Sequence, residues 1–363
     1  MATKVGVIGT GGIADYHIQG YLKAGAEIVA VCDVNAAAAA AAAKTHGIAT
    51  TYSDANKMLN EEKGLQAVSI CVPNKFHAPL AIAAAKAGKH VFCEKPPAMN
   101  AAEAKQMAEA AAATKVHLMF DFNNRARPEA AALKKYIDNG DVGTINSAQG
   151  LWVRRCGIPG YGGWFTQKAL SGGGPTIDLL HMLDLSLWFM GYPEPAWVTG
   201  NCFSDFAHDR SFAGPWGLPV VAGGTMDVET SAHAMITFKT GQVLFSRMSW
   251  AEMNHREEVS VTFQGTKAGG RICRLFGVDG DDDTAIDSCE LYTHEDGLPV
   301  NRDVVVRPDV SMGRVAAVVN FVEAIEGKAK PLSNADQGVK LMKIIEAIYK
   351  SAETKAPVDV AKL

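Results

Sequence analysis

The sequence predicts two parts: an α/β domain built on a parallel sheet, then an α+β domain with a large, open, mostly antiparallel sheet. Apolar runs alternate with helical segments over the first 120 residues. A glycine-rich turn directly follows the first of these runs, and after Phe120 the pattern changes to short segments of alternating polarity. We place the boundary so that residues 1–122 form the first domain and residues 123–363 the second.

The first domain is predicted from five strand-like runs, at residues 5–9, 27–33, 67–72, 90–94 and 116–120. These runs are almost continuously apolar, which is typical of strands that are covered on both faces of a parallel sheet. Helical segments are predicted between and after them, near residues 13–24, 36–46, 54–61, 77–88 and 101–114.

The second domain begins with a predicted helix at 128–138 and a strand at 143–154, followed by a glycine-rich loop over 157–174 and a helix over 177–190. Between 196 and 306, alternating segments such as SAHAMITF and EEVSVTF indicate antiparallel strands. Two further helices are predicted near 312–326 and 334–354.

Composition excludes several classes of protein. The net charge of −4 offers no basic surface that would bind a nucleic acid. No apolar run approaches the roughly 18 residues that span a bilayer, and the amino-terminal segment lacks the features of a signal peptide. We therefore expect a cytoplasmic protein that contacts no membrane. The seven cysteines form no C-x-x-C pair, so we expect neither disulfides nor a metal site.

The glycine-rich turn fits G-x-G-x-x-G/A, with Gly9, Gly11, Gly12, Ile13 and Ala14 between a strand and a helix. In this motif the first glycine permits a tight turn and the second lets the backbone approach a pyrophosphate. The amino-terminal N–H groups of the following helix then bind the anion. The turn therefore predicts a dinucleotide-binding Rossmann domain.

Asp33 ends the second predicted strand, where an acidic residue accepts hydrogen bonds from the adenosine ribose hydroxyls. A carboxylate there repels a 2′-phosphate, and Val34-Asn35-Ala36 supplies no cation to hold one. This favours NAD over NADP as the cofactor. The same position also suits a cap for the helix over 36–46.

Two further motifs carry a family resemblance: Val72-Pro73-Asn74-Lys75-Phe76-His77 and Cys93-Glu94-Lys95-Pro96. Together with Gly172-Gly173-Gly174, they make the chain resemble the glucose–fructose oxidoreductase/inositol dehydrogenase family. The resemblance implies that Lys95 contacts both the nicotinamide ribose and the substrate, and that Pro96 follows in an often cis bond. It also implies a cofactor cleft lined by Pro73, Asn74, His77 and Glu94.

The family carries a catalytic histidine on a helix after the glycine cluster, and His181 matches it. Asp178 stands three residues before His181 where the family pattern has four. On one helix, positions three and four residues apart share a face, so we expect Asp178 to assist His181. Asp184 is a second candidate for that role.

Substrate-binding candidates flank the glycine-rich loop, because aromatic faces and charged donors suit a polyhydroxylated ligand: Arg154, Arg155, Tyr161 and Trp164. Asn123 and Arg125 resemble the family's Phe-Asn-x-Arg stretch. An acidic run, Asp279, Asp281, Asp283 and Glu290, matches several positions of a calcium loop, but position six is Thr284 where glycine is needed. We interpret it as an acidic surface loop.

These features predict an enzyme that transfers a hydride from a secondary alcohol of a sugar, inositol or related cyclic polyol to NAD. One alternative is an NAD-dependent glycosidase that oxidises its substrate only transiently, and another is an inactive sugar-sensing protein that binds NAD. The resemblance implies a homodimer or homotetramer that is joined through the open sheet.

Overall fold

The computed structural model of the protein describes residues 2–214, 220–276 and 286–363. Contacts divide the chain into two compact units, residues 1–127 with 309–342 and residues 128–308 with 343–363. The division into domains 1–122 and 123–363 stays a prediction. The contacts add that residues 309–342 pack with the first unit.

The first unit is built on a parallel sheet whose order is β3-β2-β1-β4-β5-β6 within the described residues. Its strands are β1 (Lys4–Ile8), β2 (Glu27–Cys32), β3 (Thr50–Tyr52), β4 (Ala67–Ile70), β5 (His90–Cys93) and β6 (Leu118–Phe120). The helices are α1 (Gly12–Lys23), α2 (Ala36–His46), α3 (Ala55–Glu61), α4 (His77–Lys86) and α5 (Ala101–Thr114). The predicted fold class is thus confirmed for this unit, and β3 is an added strand.

Side chains fix where these helices begin. Asn35 caps α2 by accepting hydrogen bonds from the N–H groups of Ala37 and Ala38. Asp54 caps α3 and Asn100 caps α5 in the same way. The expectation that Asp33 suits the cap of α2 is therefore wrong, since the neighbouring Asn35 takes that place.

The core of this unit joins α1 to α10 (Arg314–Ile325). A Cβ atom on Gly20 of α1 would lie 2.5 Å from Cβ of Val318, so glycine is needed for this close helix packing. In the same core the ring of Phe321, on α10, lies 5.3 Å from the ring of Phe92, on β5.

The second unit contains a sheet with the order β14-β13-β12-β11-β7-β10-β9-β8-β15 in the described part of the chain. Its strands are β7 (Ile145–Val153), β8 (Pro195–Phe203), β9 (Ser231–Phe238), β10 (Val243–Ser249), β11 (Glu258–Gly265), β12 (Gly269–Leu275), β13 (Ile286–Glu295), β14 (Leu298–Asp303) and β15 (Val358–Asp359). The described pairings are antiparallel except that of β7 with β10, which confirms the prediction of a mostly antiparallel sheet.

Helices accompany this sheet: α6 (Pro128–Asp138), α7 (Lys168–Ser171), α8 (Pro175–Asp178), α9 (His181–Phe189) and, from residue 343 onward, α11 (Ala335–Thr354), whose first residues belong to the first unit. The buried α9 packs against β7, β10 and β11. The helix predicted over 177–190 is wrong in one respect. It is two helices, α8 and α9, separated at Leu179 and Leu180, so Asp178 and His181 do not share a continuous helix.

Among the residues that the structure describes, no helix has the length and apolar character needed to cross a bilayer. The predicted cytoplasmic location stays a prediction. Asp279, Asp281 and Asp283 of the discounted calcium-like run lie outside the described residues, while Glu290 lies on β13.

Candidate active site

The glycine turn after β1 combines two different requirements. Gly9 has a φ of +89°, and a Cβ there would lie 2.2 Å from the carbonyl oxygen of Cys71, so the fold itself demands glycine. A Cβ on Gly11 or Gly12 would meet nothing within 4 Å. Helix α1 begins at Gly12, and Ile13 packs against the core. Because the positions of Gly11 and Gly12 are open in this way, the first N–H groups of α1 stand beside open space. This arrangement fits a bound pyrophosphate.

Asp33 closes the same turn. Its Oδ2 accepts hydrogen bonds of 2.9 Å from both the backbone N–H and the hydroxyl of Thr10, and its Oδ1 accepts one from the N–H of Asn35. Burial by itself raises the pKa of a carboxyl, but these hydrogen bonds lower the pKa of Asp33 below its ordinary value. The side chain is therefore held as a carboxylate.

A cavity of about 540 Å³ lies beside Asp33. Its lining includes Gly9, Gly11, Val34, Pro73 and Phe76. An apolar cleft with a carboxylate at one side fits the adenosine part of a dinucleotide.

His77 ties two parts of this unit together. Its Nδ1 lies 2.7 Å from the carbonyl oxygen of Pro96 and its Nε2 lies 2.8 Å from that of Val72. The ring is fully buried, and burial lowers its pKa, so the neutral ring donates to one of the two carbonyls. His77 therefore joins the Pro73-Asn74 turn, whose Asn74 is also buried, to the turn that follows β5. Its predicted contact with a cofactor stays a prediction.

Lys95 is the second residue after β5, at the carboxyl end of the parallel sheet. The Lys95–Pro96 peptide bond is cis, as the resemblance implied. The backbone N–H of Lys95 donates to Oε2 of the buried Glu94 at 3.0 Å. The Glu94 carboxylate is thus engaged with the protein, and its predicted cofactor contact stays a prediction.

Asn123 and Arg125 are buried within the first unit. Asn123 Nδ2 donates to the carbonyl of Met312 at 2.7 Å. Arg125 Nη1 donates to the carbonyl of Leu332 and to Oε1 of Gln337 at 2.5 and 2.7 Å. These contacts give both residues a structural role, and their predicted substrate binding stays a prediction.

In the second unit His181 begins α9 and is 8% exposed. Its ring lies 5.6 Å from that of Trp152, near the end of β7. Trp152 Nε1 donates to Oε1 of Glu257 at 2.8 Å, and Nε of the buried Arg154 lies 3.3 Å from the same oxygen. Glu257 therefore orients the indole that lies beside the predicted catalytic histidine, and it holds the guanidinium of Arg154 as well.

Asp178 ends α8 and accepts a hydrogen bond of 2.9 Å from Nε1 of the fully buried Trp250. The charge of Asp178 also acts on Arg154. By contrast, Asp184 is buried and accepts a hydrogen bond of 2.6 Å from the hydroxyl of Tyr192. Of the two candidate acids, Asp178 is thus the one that belongs to the Arg154 environment.

The glycine cluster before α8 is required by packing. A Cβ on Gly173 would lie 1.9 Å from the hydroxyl oxygen of Tyr349, and one on Gly174 would lie 2.2 Å from the carbonyl oxygen of Glu229. The Glu229 carboxylate accepts hydrogen bonds from the N–H groups of Gly174 and Thr176 and from the Tyr349 hydroxyl. Glu229 and Tyr349 therefore fix the start of the short helix that carries Asp178.

The remaining candidates lie on the loop after β7. The Tyr161 hydroxyl donates to the carbonyl of Ala207 at 2.6 Å, and its ring is buried under the guanidinium of Arg210. Trp164 stacks on Phe165 with ring centroids 3.9 Å apart, and Arg155 is half-buried. The substrate contacts of Arg155, Tyr161 and Trp164 stay predictions.

Sequence reasoning missed five residues of this environment: Trp152, Trp250, Glu257, Glu229 and Tyr349. Tyr349 stands in the segment Ala347–Ala352, which resembles the family, but the sequence indicated no role for its side chain, and no motif surrounds the other four residues. All five lie on β7, next to other strands, or on α11, far apart in the chain, so only the folded structure brings them together.

The parallel sheet, the open glycine turn and the held Asp33 carboxylate are together the features of a dinucleotide-binding Rossmann protein. Comparison with known proteins identifies the family. Residues 3–122 match the oxidoreductase family with an NAD-binding Rossmann fold, and residues 134–360 match the C-terminal alpha/beta domain of the same family. The chain belongs to this glucose–fructose oxidoreductase/inositol dehydrogenase family, which confirms the predicted family and the NAD-binding domain.

Two curated relatives are similar to this protein over most of its length. D-glucoside 3-dehydrogenase of Escherichia coli K12 is 32% identical over 98% of this chain and 97% of its own length. Levoglucosan dehydrogenase of Pseudarthrobacter phenanthrenivorans is 28% identical over 92% of this chain and 89% of its own. A solved levoglucosan dehydrogenase in complex with NADH and L-sorbose superposes with a TM-score of 0.83 at 25% identity, covering 99% of both chains.

Proposed function

We propose that this protein is an NAD-dependent dehydrogenase that oxidises a secondary alcohol of a sugar, inositol or related cyclic polyol. The similarity to D-glucoside 3-dehydrogenase over almost the whole of both chains carries this proposal. Because that similarity covers both units, it supports a shared reaction class as well as a shared cofactor.

The first unit supplies the cofactor groups. Gly11, Gly12 and the start of α1 hold the pyrophosphate, and Asp33 accepts hydrogen bonds from the adenosine ribose. Bound NAD supplies the acceptor for the hydride. The Asp33 carboxylate excludes a 2′-phosphate by charge repulsion, so NAD is preferred to NADP.

Lys95 and His181 are the proposed catalytic residues. The ammonium of Lys95 donates a hydrogen bond to the reacting oxygen and steadies the negative charge that develops there. The imidazole of His181 accepts the hydroxyl proton as the C–H bond breaks. Asp178 assists through the charge environment that it shares with Arg154.

The second unit supplies the surface for a polyhydroxylated ring. The Trp152 indole offers an apolar face next to His181, and the Arg154 guanidinium offers donors that Glu257 holds in place. Sugars present apolar C–H faces and equatorial hydroxyls, which match this pairing. We therefore assign Trp152 to the substrate wall together with the predicted Arg154.

A substrate panel tests the proposal. Methyl glucosides, levoglucosan and myo-inositol are each incubated with NAD, and NADH is followed by its absorbance. We expect NADH to accumulate in proportion to the oxidised sugar. Cleavage of a glycoside without net NADH would identify the glycosidase alternative, and tight NAD binding without any turnover would identify the sensing alternative.

We also propose a homodimer or homotetramer that is joined through one face of the large sheet. Several large apolar side chains are exposed on its strands: Trp197, Phe203, Met235 and Phe245. Such a patch is typical of a surface that another chain covers. Light scattering of the wild type and of Phe245→Glu should show a larger mass for the former, and equal monomer masses would contradict the proposal.

A further inference from the structure

Behind Lys95 lies a group of three buried ionisable side chains, His17, Glu94 and Asp121, which we call the buried triad. Nε2 of His17 lies 3.0 Å from Oε1 of Glu94 and 3.6 Å from Oδ2 of Asp121. These three residues are 0%, 8% and 2% exposed. Apart from Glu94, the triad has no part in the predicted site.

The triad gathers three elements of the first unit. His17 lies on α1, the helix that begins at the glycine turn, while Glu94 follows β5 and Asp121 follows β6. The imidazole cannot turn freely, because its Nδ1 lies 2.6 Å from the hydroxyl of Ser69 and its ring packs 5.1 Å from that of Phe92. His17 is therefore a fixed link between the phosphate-binding helix and the end of β5.

Glu94 uses its two oxygens in two directions. Oε1 faces His17, and Oε2 accepts the backbone N–H of Lys95 at 3.0 Å. The carboxylate thus bridges the imidazole and the first atom of the Lys95 residue. A change in the orientation of this carboxylate would break its contact with the backbone from which the Lys95 side chain extends.

The charge states of His17 and Glu94 favour the hydrogen bond between them. Burial by itself lowers the pKa of an imidazole, but the surrounding Cys71, Asp121 and Glu94 raise that of His17 above its ordinary value. Burial by itself raises the pKa of a carboxyl, but the hydrogen bond and charge of His17 lower that of Glu94. Lys95 and His77 also face Glu94, and Arg314 faces Asp121. An imidazolium and a carboxylate form a stronger hydrogen bond than two neutral groups do.

We propose that His17 is a positioning residue for Lys95, acting through the Glu94 carboxylate that accepts the Lys95 backbone N–H. The proposal rests on the proposed function, in which Lys95 binds the reacting oxygen. A misplacement of about 1 Å at a catalytic group can cost about 100-fold in rate. Loss of the bridge should therefore slow turnover even though His17 itself is far too buried to meet a substrate.

Two substitutions distinguish the hydrogen bond that His17 makes to Glu94 from the space that its side chain fills. His17→Leu fills similar space without a donor, while His17→Gln keeps an N–H group that can reach Glu94. We expect kcat on the best sugar of the panel to fall about 10- to 100-fold in His17→Leu. His17→Gln should recover most of that loss. The KM for NAD should stay within about threefold of wild type in both, because the glycine turn is untouched.

A matched control lies in the same unit. Nε2 of His46 lies 3.0 Å from Oδ1 of the exposed Asp15, which is also on α1. His46→Gln removes an imidazole–carboxylate contact of the same length at the surface, and we expect unchanged kcat. If His17→Leu does not fold, Glu94→Gln replaces it, because a glutamine offers one acceptor oxygen to the two donors His17 and Lys95.

A second measurement needs no substrate. Pro96 and Pro97 have no amide hydrogen, and the first two residues of a peptide do not retain label, so hydrogen exchange in a peptide that spans residues 93–97 reports on the Lys95 N–H. We expect faster exchange in His17→Leu and Glu94→Gln than in wild type or His46→Gln. Because this readout is independent of turnover, it separates failure of the positioning role from failure of the proposed function.

Three results would overturn the proposal. One is unchanged kcat in folded His17→Leu. Another is an equal loss in His17→Leu and His17→Gln with a matching rise in the KM for NAD, which would place His17 in cofactor binding. The third is unchanged exchange at Lys95 in both His17→Leu and Glu94→Gln.

Discussion

Nε1 of Trp250 donates a hydrogen bond of 2.9 Å to Oδ2 of Asp178. Trp250 is fully buried just beyond β10, and Asp178 is the last residue of α8. This bond ties the short helix that precedes His181 to the end of a strand. Asp178 is therefore anchored by the sheet, and its position does not depend on a helix shared with His181.

Asp178→Asn should keep the shape of this contact and remove the charge that acts on Arg154. We expect about a tenfold fall in kcat, because the charge that acts on Arg154 is lost. The fall in Tm should be modest, because the asparagine oxygen still accepts the Trp250 N–H, and a neutral hydrogen bond of about 0.5–1.5 kcal/mol replaces a charged one of about 1.5–3 kcal/mol. Steady-state kinetics and thermal unfolding measure both effects. Asp209→Asn, at an exposed aspartate that caps Ser211, is the control and should leave kcat unchanged. A fall in Tm with unchanged kcat would show that Asp178 is structural only.

The strands and most helices could be predicted because their sequence patterns are local. The apolar runs of the parallel sheet and the alternation in β9 show which faces are buried. β3 was missed because Thr50–Tyr52 is only three residues long and only partly buried. The break between α8 and α9 was missed because Leu179 and Leu180 are buried apolar residues that carry no helix-ending signal.

The candidate site could be predicted only where a motif spans consecutive residues, as at Gly9–Ala14 and Glu94–Pro96. Trp152 and Glu257 are 105 positions apart in the chain and meet only through the pairing of β7 with β11. Register of this kind depends on the whole sheet, so no local pattern could indicate it. Glu229 and Tyr349 are 120 positions apart, and their contact depends on how α11 packs in the second unit, which no local pattern indicates either.

His181→Gln should remove the proton acceptor while preserving most of the side-chain volume. General acid–base groups contribute about 10²- to 10⁴-fold, so we expect a loss of kcat in that range. The acidic limb of the pH–rate profile should also flatten, because protonation of His181 no longer limits the rate. His208→Gln, at an exposed histidine of the same unit, should leave the profile unchanged. An acidic limb that persists in His181→Gln would assign the proton to another group.

Lys95→Ala should leave NAD binding within about threefold of wild type and lower kcat about 10²- to 10⁴-fold. The reason is that the lysine ammonium acts on the substrate oxygen, while the pyrophosphate and adenosine contacts lie elsewhere. Quenching of protein fluorescence by NAD and steady-state rates measure the two properties. The control is Lys105→Ala, at an exposed lysine of α5. Activity within a factor of a few of wild type would remove Lys95 from the chemistry.

Gly9→Ala and Gly11→Ala should fail in different ways, although the glycines are two residues apart. At Gly9 a Cβ meets the carbonyl oxygen of Cys71 at 2.2 Å with φ at +89°, so we expect a marked loss of stability. At Gly11 a Cβ meets no protein atom within 4 Å and the backbone is extended, so stability should change by about 1 kcal/mol or less. The space that it fills is the proposed pyrophosphate site, so NAD binding should weaken strongly. Gly11→Ala protein that binds NAD normally would contradict that assignment.

The last prediction concerns the choice of cofactor. Asp33→Ser should weaken NAD binding by about 10- to 100-fold and narrow the preference over NADP, because hydrogen bonds to a carboxylate contribute about 1.5–3 kcal/mol. Val34 is 94% exposed beside it, so Asp33→Ser combined with Val34→Arg should bind NADP better than the single variant does. In the wild type, the hydrogen bonds from Asn35 and Thr10 outweigh burial and lower the pKa of Asp33. A depressed carboxyl pKa means that the Asp33 charge persists to lower pH than that of an ordinary aspartate, so the affinity for NAD should be kept as the pH falls from neutral into the range where an ordinary aspartate begins to be protonated. Titration of both cofactors across that range, with Asp15→Ser as the control, measures this. A preference that disappears while an ordinary aspartate is still ionised, or tighter NADP binding by the wild type at neutral pH, would show that Asp33 does not set the choice.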